Sequence, residues 1–310
     1  MVGRAYRVPV SYGANLFAQE YLPDAGLPVS GPTVVLAHGW CMEHSSWHRV
    51  IDALLRRLDV RIVTYDQRGH GKSTMGVEHV RILGDDLAEV IDATTPEGAL
   101  VLVGHSMGGM TVMAYAGLQG ESFTERVRGV VLASTAASIE GRDPVPLEAL
   151  IMSVASRAPG IPPRLLVPRL VQGRLLFGHR AAREDVAHAI DQIKRTKMPT
   201  IGRFFYAISQ HNEAESLAHF VRVPTHIISG DHDRLIPVTY AEALRDHIPT
   251  SHLRVLSGVG HMTPYEAVEV IVEKIMKTGD FERITVADAN GVVRAASDPK
   301  LVGQPYKAPA

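Results

Sequence analysis

Short, unbroken apolar runs alternate with stretches of helical periodicity along most of this chain. Thr33-Val34-Val35-Leu36-Ala37, Val60 to Tyr65, 99–105, Val130 to Ala133 and Thr225 to Ser229 each read as a strand buried on both faces. Between them, 44–58 places Trp47, Val50, Ile51, Leu54, Leu55 and Leu58 on one helical face. Residues 79–93 repeat the helical spacing, and Met110, Met113, Ala114, Gly117 and Leu118 continue it beyond residue 106. Strands that alternate with helices imply an α/β fold with a mostly parallel, doubly wound sheet and right-handed crossovers. The opening differs: residues 4–22 alternate polar and apolar around Tyr12-Gly13-Ala14, an antiparallel hairpin, and Pro23 to Pro32 is a loop.

The alternation breaks near Ser134 and resumes at Thr225. The residues between carry helical patterns and several prolines, among them Pro144, Pro146, Pro159, Pro162, Pro163 and Pro168. An insertion at the C-terminal end of a strand lies over the crevice where open α/β sheets bind ligands. The expected organisation is therefore a core of 1–136 and 223–280, an inserted helical cap of 137–222, and a C-terminal hairpin and tail of 281–310. After Leu253 to Leu256, read as the last core strand, Thr263-Pro264-Tyr265-Glu266 has the spacing of a capping box: Thr263 as cap, Pro264 at the first turn and Glu266 reaching back.

Composition narrows the setting more than the chemistry. A net charge of −1 over 310 residues offers no electrostatic case for nucleic acid. Cys41 is the only cysteine, so no intrachain disulfide is available. No apolar run approaches the roughly 20 residues that span a bilayer, and Met1 to Val10 lacks an apolar signal core. A cytoplasmic location is expected. The insertion does contain a basic stretch (Arg157, Arg164, Arg169, Arg174, Arg180, Arg183, Lys194, Arg195, Lys197 and Arg203), which reads first as a solvated outer face and second as a peripheral lipid or acidic-ligand contact. Gly71-Lys72-Ser73 lacks the upstream Gly of a phosphate loop, since position 66 is Asp.

The chemistry concentrates at strand ends. Gly104-His105-Ser106-Met107-Gly108 fits G-x-S-x-G, a strand-turn-helix elbow whose glycines avoid the Cβ collisions of so tight a turn. Ser106 would project at the N-terminus of a helix, where free N–H groups favour developing negative charge. The Asp231/Asp233 pair follows the Ile227 strand, and His261 lies in a loop after the Leu253 strand. A serine hydroxyl is a poor nucleophile until a base takes its proton, which an imidazole does at neutral pH, and a carboxylate fixes the tautomer of that imidazole.

In this order, His38-Gly39-Trp40, Asp66-Gln67-Arg68-Gly69-His70-Gly71-Lys72-Ser73, Gly104-His105-Ser106-Met107-Gly108-Gly109, Gly230-x-x-Asp233-x-x-x-Pro237 and Gly260-His261 resemble the α/β-hydrolases across roughly residues 5–277. The resemblance implies a serine esterase or lipase-like enzyme with Ser106 as nucleophile, His261 as base and Asp233, rather than Asp231, as the acid. It implies an oxyanion hole built from the N–H groups of Met107 and Trp40. Gly39, Cys41, Met42 and His105 are expected to line an apolar substrate pocket, with His105 packed beside the elbow helix. His38 is expected to tie down the oxyanion loop, and His70 and His232 are structural candidates. No metal or cofactor is called for.

A small apolar ester or related acyl compound is the expected partner. The same triad serves a lactone, a thioester, a carbon–carbon bond or cofactor-free perhydrolysis, and a ligand-sensing protein of the same fold is the non-enzyme alternative. Epoxide hydrolases and haloalkane dehalogenases of this fold are excluded, because they place Asp where this chain has Ser106.

Overall fold

The computed structural model describes residues 2–23, 31–139, 146–157, 173, 175–179, 181–279, 285–287 and 292–296. Eight strands form one sheet: β1 (Val2–Val10), β2 (Ala14–Tyr21), β3 (Thr33–Ala37), β4 (Ile62–Asp66), β5 (Leu100–His105), β6 (Val127–Ala133), β7 (Thr225–Gly230) and β8 (His252–Leu256). Their order is β1-β2-β4-β3-β5-β6-β7-β8. The first hairpin is antiparallel, β2 pairs antiparallel with β4, and the six remaining strands run parallel.

The parallel strands read as apolar runs because both of their faces are covered. Val35 and Ala37, Leu100 and Leu102, and Val130 and Leu132 pack with the helices Val80–Thr94 and Met107–Gln119 on one side. Val34 and Leu36, Val101 and Val103, and Val131 and Ala133 pack with Trp47, Val50, Ile51 and Leu54 and with the helix Val268–Thr278 on the other. Burying each such side chain contributes roughly 1.5–3 kcal/mol. The β8 strand is different. It is an edge, His252, Arg254 and Val255 are exposed, and the continuously apolar interior expected at the end of the sheet stops at β7.

Between β6 and β7 the chain leaves the sheet through helices Pro146–Arg157, Arg183–Arg195 and Met198–Ser209 and the 3-10 segment Glu215–Arg222. Arg195 and Arg203 are bound to core carboxylates, Glu43 and Glu78. The basic stretch is thus partly neutralised where it is described; Arg164, Arg169, Arg174 and Arg180 lie outside the described residues. Near the end of the chain, Thr285–Ala287 and Val293–Ala296 pair antiparallel, within the stretch 283–296 that reads as a small hairpin. The Asn290-Gly291 turn and the tail from Ser297 lie outside the described residues.

Two features place the crevice. The chain runs from β3 to β4 on one side and then to β5 on the other, so the strand order reverses between β3 and β5, the switch point at which open α/β sheets bind ligands. The loop after β4 is fixed by a fully buried pair in which Arg68 Nε and Nη2 donate to the two oxygens of Asp86 (2.6 and 2.5 Å). The remaining Arg68 donors reach the carbonyls of Ser11 and Val77.

Candidate active site

Ser106 follows directly on β5, beside the switch point. Its backbone has φ 53 and ψ −120, a conformation costing a non-glycine residue about 1–3 kcal/mol. The surroundings over-determine it. Ser106 N–H donates to Ala133 O (2.9 Å), and Ser106 O accepts from Gly109 N, Met110 N and Thr135 Oγ1. The two flanking glycines are a steric necessity: a Cβ on Gly104 would lie 2.4 Å from Gly108 O, and one on Gly108 would lie 2.1 Å from Ala37 O.

The carboxylate and the imidazole meet across the ends of β7 and β8. His261 Nδ1 lies 2.8 Å from Asp233 Oδ2, and Asp233 Oδ1 accepts from the N–H groups of Leu235 and Ile236 (2.9 Å each). Burial acts to raise the Asp233 pKa, but the imidazole and the two amides outweigh it and leave the pKa below the ordinary carboxylate value. An ionised carboxylate only accepts, so Nδ1 carries the ring proton and Nε2 is left as the basic nitrogen. Asp231 is exposed and does something else: it accepts from Gly258 N and binds its neighbour His232.

His105 joins the two halves. It precedes Ser106 in the chain, and its ring lies 5.0 Å from that of His261 between centroids. Its Nε2 donates to His261 O (2.8 Å). At 1% exposure His105 lies under the loop that carries His261, against Gly39 and Trp47. Gly39, Cys41 and Met42 are likewise buried.

The loop that carries Trp40 follows β3. His38 accepts from Gln67 N at Nε2 (2.9 Å), which leaves Nδ1–H to donate to Gly39 O (2.8 Å). Gln67 Nε2 donates to His38 O, and Gln67 Oε1 accepts from Thr111 Oγ1 on the elbow helix. One buried amide thus ties the loop after β3 to the helix Met107–Gln119. The sequence motif contained Gln67 without revealing this link. Cys41 holds φ 63, and its carbonyl accepts from Thr196 of the insertion. Among the described residues, the N–H groups of Trp40 and Met107 have no protein acceptor, which leaves both free for a ligand oxygen. Among the same residues, no three His, Cys, Asp or Glu side chains converge as a metal site would require.

Burial keeps several histidines neutral. It pushes His70 and His105 down to about 3 and His211 down to about 4. In the unfolded chain these groups titrate near about 6.5, so on acidification the unfolded state takes up protons first. The stability they contribute is whole above that value and is lost as pH falls toward 3–4, at about 2 kcal/mol each by pH 5. Asp86 and Glu266, both raised by burial, act in the opposite direction. The expected net effect between pH 7.5 and 5 is a loss of stability, read as a lower urea midpoint at unchanged slope. A midpoint independent of pH would contradict it.

Comparison with known proteins adds the following. A family model described as alpha/beta hydrolase fold matches residues 32–268. The chain is 29% identical to a monoacylglycerol lipase of Mycolicibacterium smegmatis, over 77% of this chain and 84% of that protein. It is 26% identical to a 3-oxoadipate enol-lactonase of Acinetobacter baylyi, over 79% of this chain and 88% of that one. Among solved structures, a bromoperoxidase from Bacillus anthracis shares the fold with a TM-score of 0.74 at 21% identity, over 89% of this chain and 99% of that one.

Proposed function

The chain belongs to the α/β-hydrolase fold family, and from that premise we propose that it is a serine hydrolase that cleaves a carboxylic ester through an acyl-enzyme. The observation that carries the reading is the Asp233–His261 pair, whose loop is joined through His105 to the residue before Ser106 on its strained turn. Ser106 Oγ attacks the acyl carbon while His261 Nε2 takes its proton, and Asp233 stabilises the imidazolium. The carbonyl oxygen becomes an oxyanion held by the N–H groups of Trp40 and Met107, each donor being worth roughly 10²–10³ in rate. His261 returns the proton to the leaving alkoxide. Water then gives a proton to His261 and attacks the acyl carbon, and the acid is released as His261 returns that proton to the departing Ser106 Oγ.

The names of the two relatives, a lipase and an enol-lactonase, support ester-bond chemistry for this chain and keep a cyclic ester as the second reading. The insertion 137–222 acts as the cap that sets acyl length. The substrate is a small ester or related acyl compound, and among the described residues no helix is long and apolar enough to cross a membrane. A series of p-nitrophenyl esters of graded acyl length, run beside a lactone and an acyl-thioester, tests the proposal. Saturable hydrolysis of an open ester is expected, with kcat/KM peaking at one chain length. Turnover confined to the lactone would move the reading to a lactonase, and no turnover of any member by folded protein would overturn it.

A further inference from the structure

A catalytic imidazole must be held to within about 0.5 Å, yet His261 stands in a loop with no regular structure of its own. The amides of that loop are held from outside it. His261 N–H and Met262 N–H both donate to Leu176 O of the insertion (2.8 and 3.2 Å). Gly260 N–H donates to the two oxygens of Glu266 (3.2 Å each), and the same carboxylate accepts Gly178 N–H of the insertion at 2.7 Å. His179 N–H donates to Gly258 O (3.1 Å). One carboxylate therefore clamps an amide of the insertion to the amide that precedes the base.

The two backbones touch. A Cβ on Gly178 would lie 2.0 Å from Gly258 O and 2.8 Å from Gly260 N, and one on Gly260 would lie 2.5 Å from Gly178 N. Beside this seam, Phe177 packs with Met42, Met262, Tyr265 and Ala189 in a small separate apolar cluster. That cluster spans the oxyanion loop at Met42 and the base loop at Met262. Lifting residues 176–179 would break these backbone bonds and empty the cluster at once.

We propose that the insertion segment 176–179, clamped through Glu266, is a positioning element for His261, so that the base is aligned only while this segment is seated. The inference rests on the serine-hydrolase reading of His261. Its consequence is that a cap lifted off the crevice at this point is catalytically silent, and substrate enters with the segment in place.

Two variants of the full chain test it: Gly178→Ala, which obstructs seating, and Glu266→Gln, which keeps side-chain volume but turns one acceptor into a donor. With p-nitrophenyl acetate, too short to depend on a wall for long acyl chains, kcat is expected to fall by roughly 10²-fold in Gly178→Ala, the cost of misplacing a catalytic group by about 1 Å, with KM little changed. Glu266→Gln is expected to fall less. The low-field proton resonance of His261 Nδ1–H is expected to be sharp in wild type and to broaden in both variants at melting temperatures near wild type. A folded variant that keeps either its kcat or its sharp resonance overturns the proposal. If Gly178→Ala does not fold, Glu266→Gln carries the same two readouts. If wild type hydrolyses no ester, the functional reading fails, and the resonance alone decides the positioning role.

Discussion

Replacing Ser106 with Ala is expected to lower kcat for ester hydrolysis by roughly 10⁴–10⁶-fold, the range seen when a triad nucleophile is removed. Substrate affinity is expected to hold, because the rest of the site, both free N–H groups included, remains. Stability offers an independent check on the same residue. The φ of 53 and ψ of −120 at Ser106 penalise Ala as they penalise Ser, whereas Gly adopts positive φ readily. Ser106→Gly is therefore expected to be as inactive as Ser106→Ala yet more stable, by about 1 kcal/mol. An elbow strained for function gains stability when the function is deleted. Equal stability of the two variants would contradict the strain, and residual activity near wild type in either would contradict the nucleophile.

Asp233→Asn is expected to lower kcat by roughly 10⁴-fold. The amide fits the space, but its NH₂ group faces His261 Nδ1 or gives up the Leu235 and Ile236 amides that Asp233 Oδ1 now accepts. Either arrangement selects the wrong imidazole tautomer or leaves a buried group unpaired. Asp231→Asn should leave kcat near wild type, since Asp231 is exposed and serves the Gly258 turn and His232. Rates measured side by side separate the two: a large loss at Asp231 with little at Asp233 would reverse the assignment of the acid.

Much of this fold was legible because its signals are local. Buried parallel strands announce themselves as apolar runs, and the elbow does so through Gly104 and Gly108, whose close approaches leave no room for a Cβ. The chain order of Ser106, Asp233 and His261 was legible too, as the ends of three strands. What escaped notice depends on residues far apart in sequence. Gln67 bridges His38 and Thr111 only because the strand order brings the loops after β3 and β4 next to the elbow helix. Thr263-Pro264-Tyr265-Glu266 had the spacing of a capping box, but the helix Thr263–Glu266 is capped by Met262, and Thr263 Oγ1 is buried without a partner. Glu266 is drawn instead to the amides of Gly178 and Gly260, a tertiary demand that overrides a local pattern. His105 read as a pocket residue packed beside the elbow helix, and only the fold revealed that its ring supports the carbonyl of His261.

The central claim, that Ser106 is the acyl-accepting nucleophile, is tested most directly by titrating the protein with a serine-directed phosphonate and following adduct mass and ester hydrolysis together. The account predicts one adduct per chain, on the peptide containing Ser106, with hydrolysis lost in proportion to labelling and no adduct on Ser106→Ala. Full hydrolysis by quantitatively labelled protein, or an adduct on another serine that accounts for the lost activity, would contradict it.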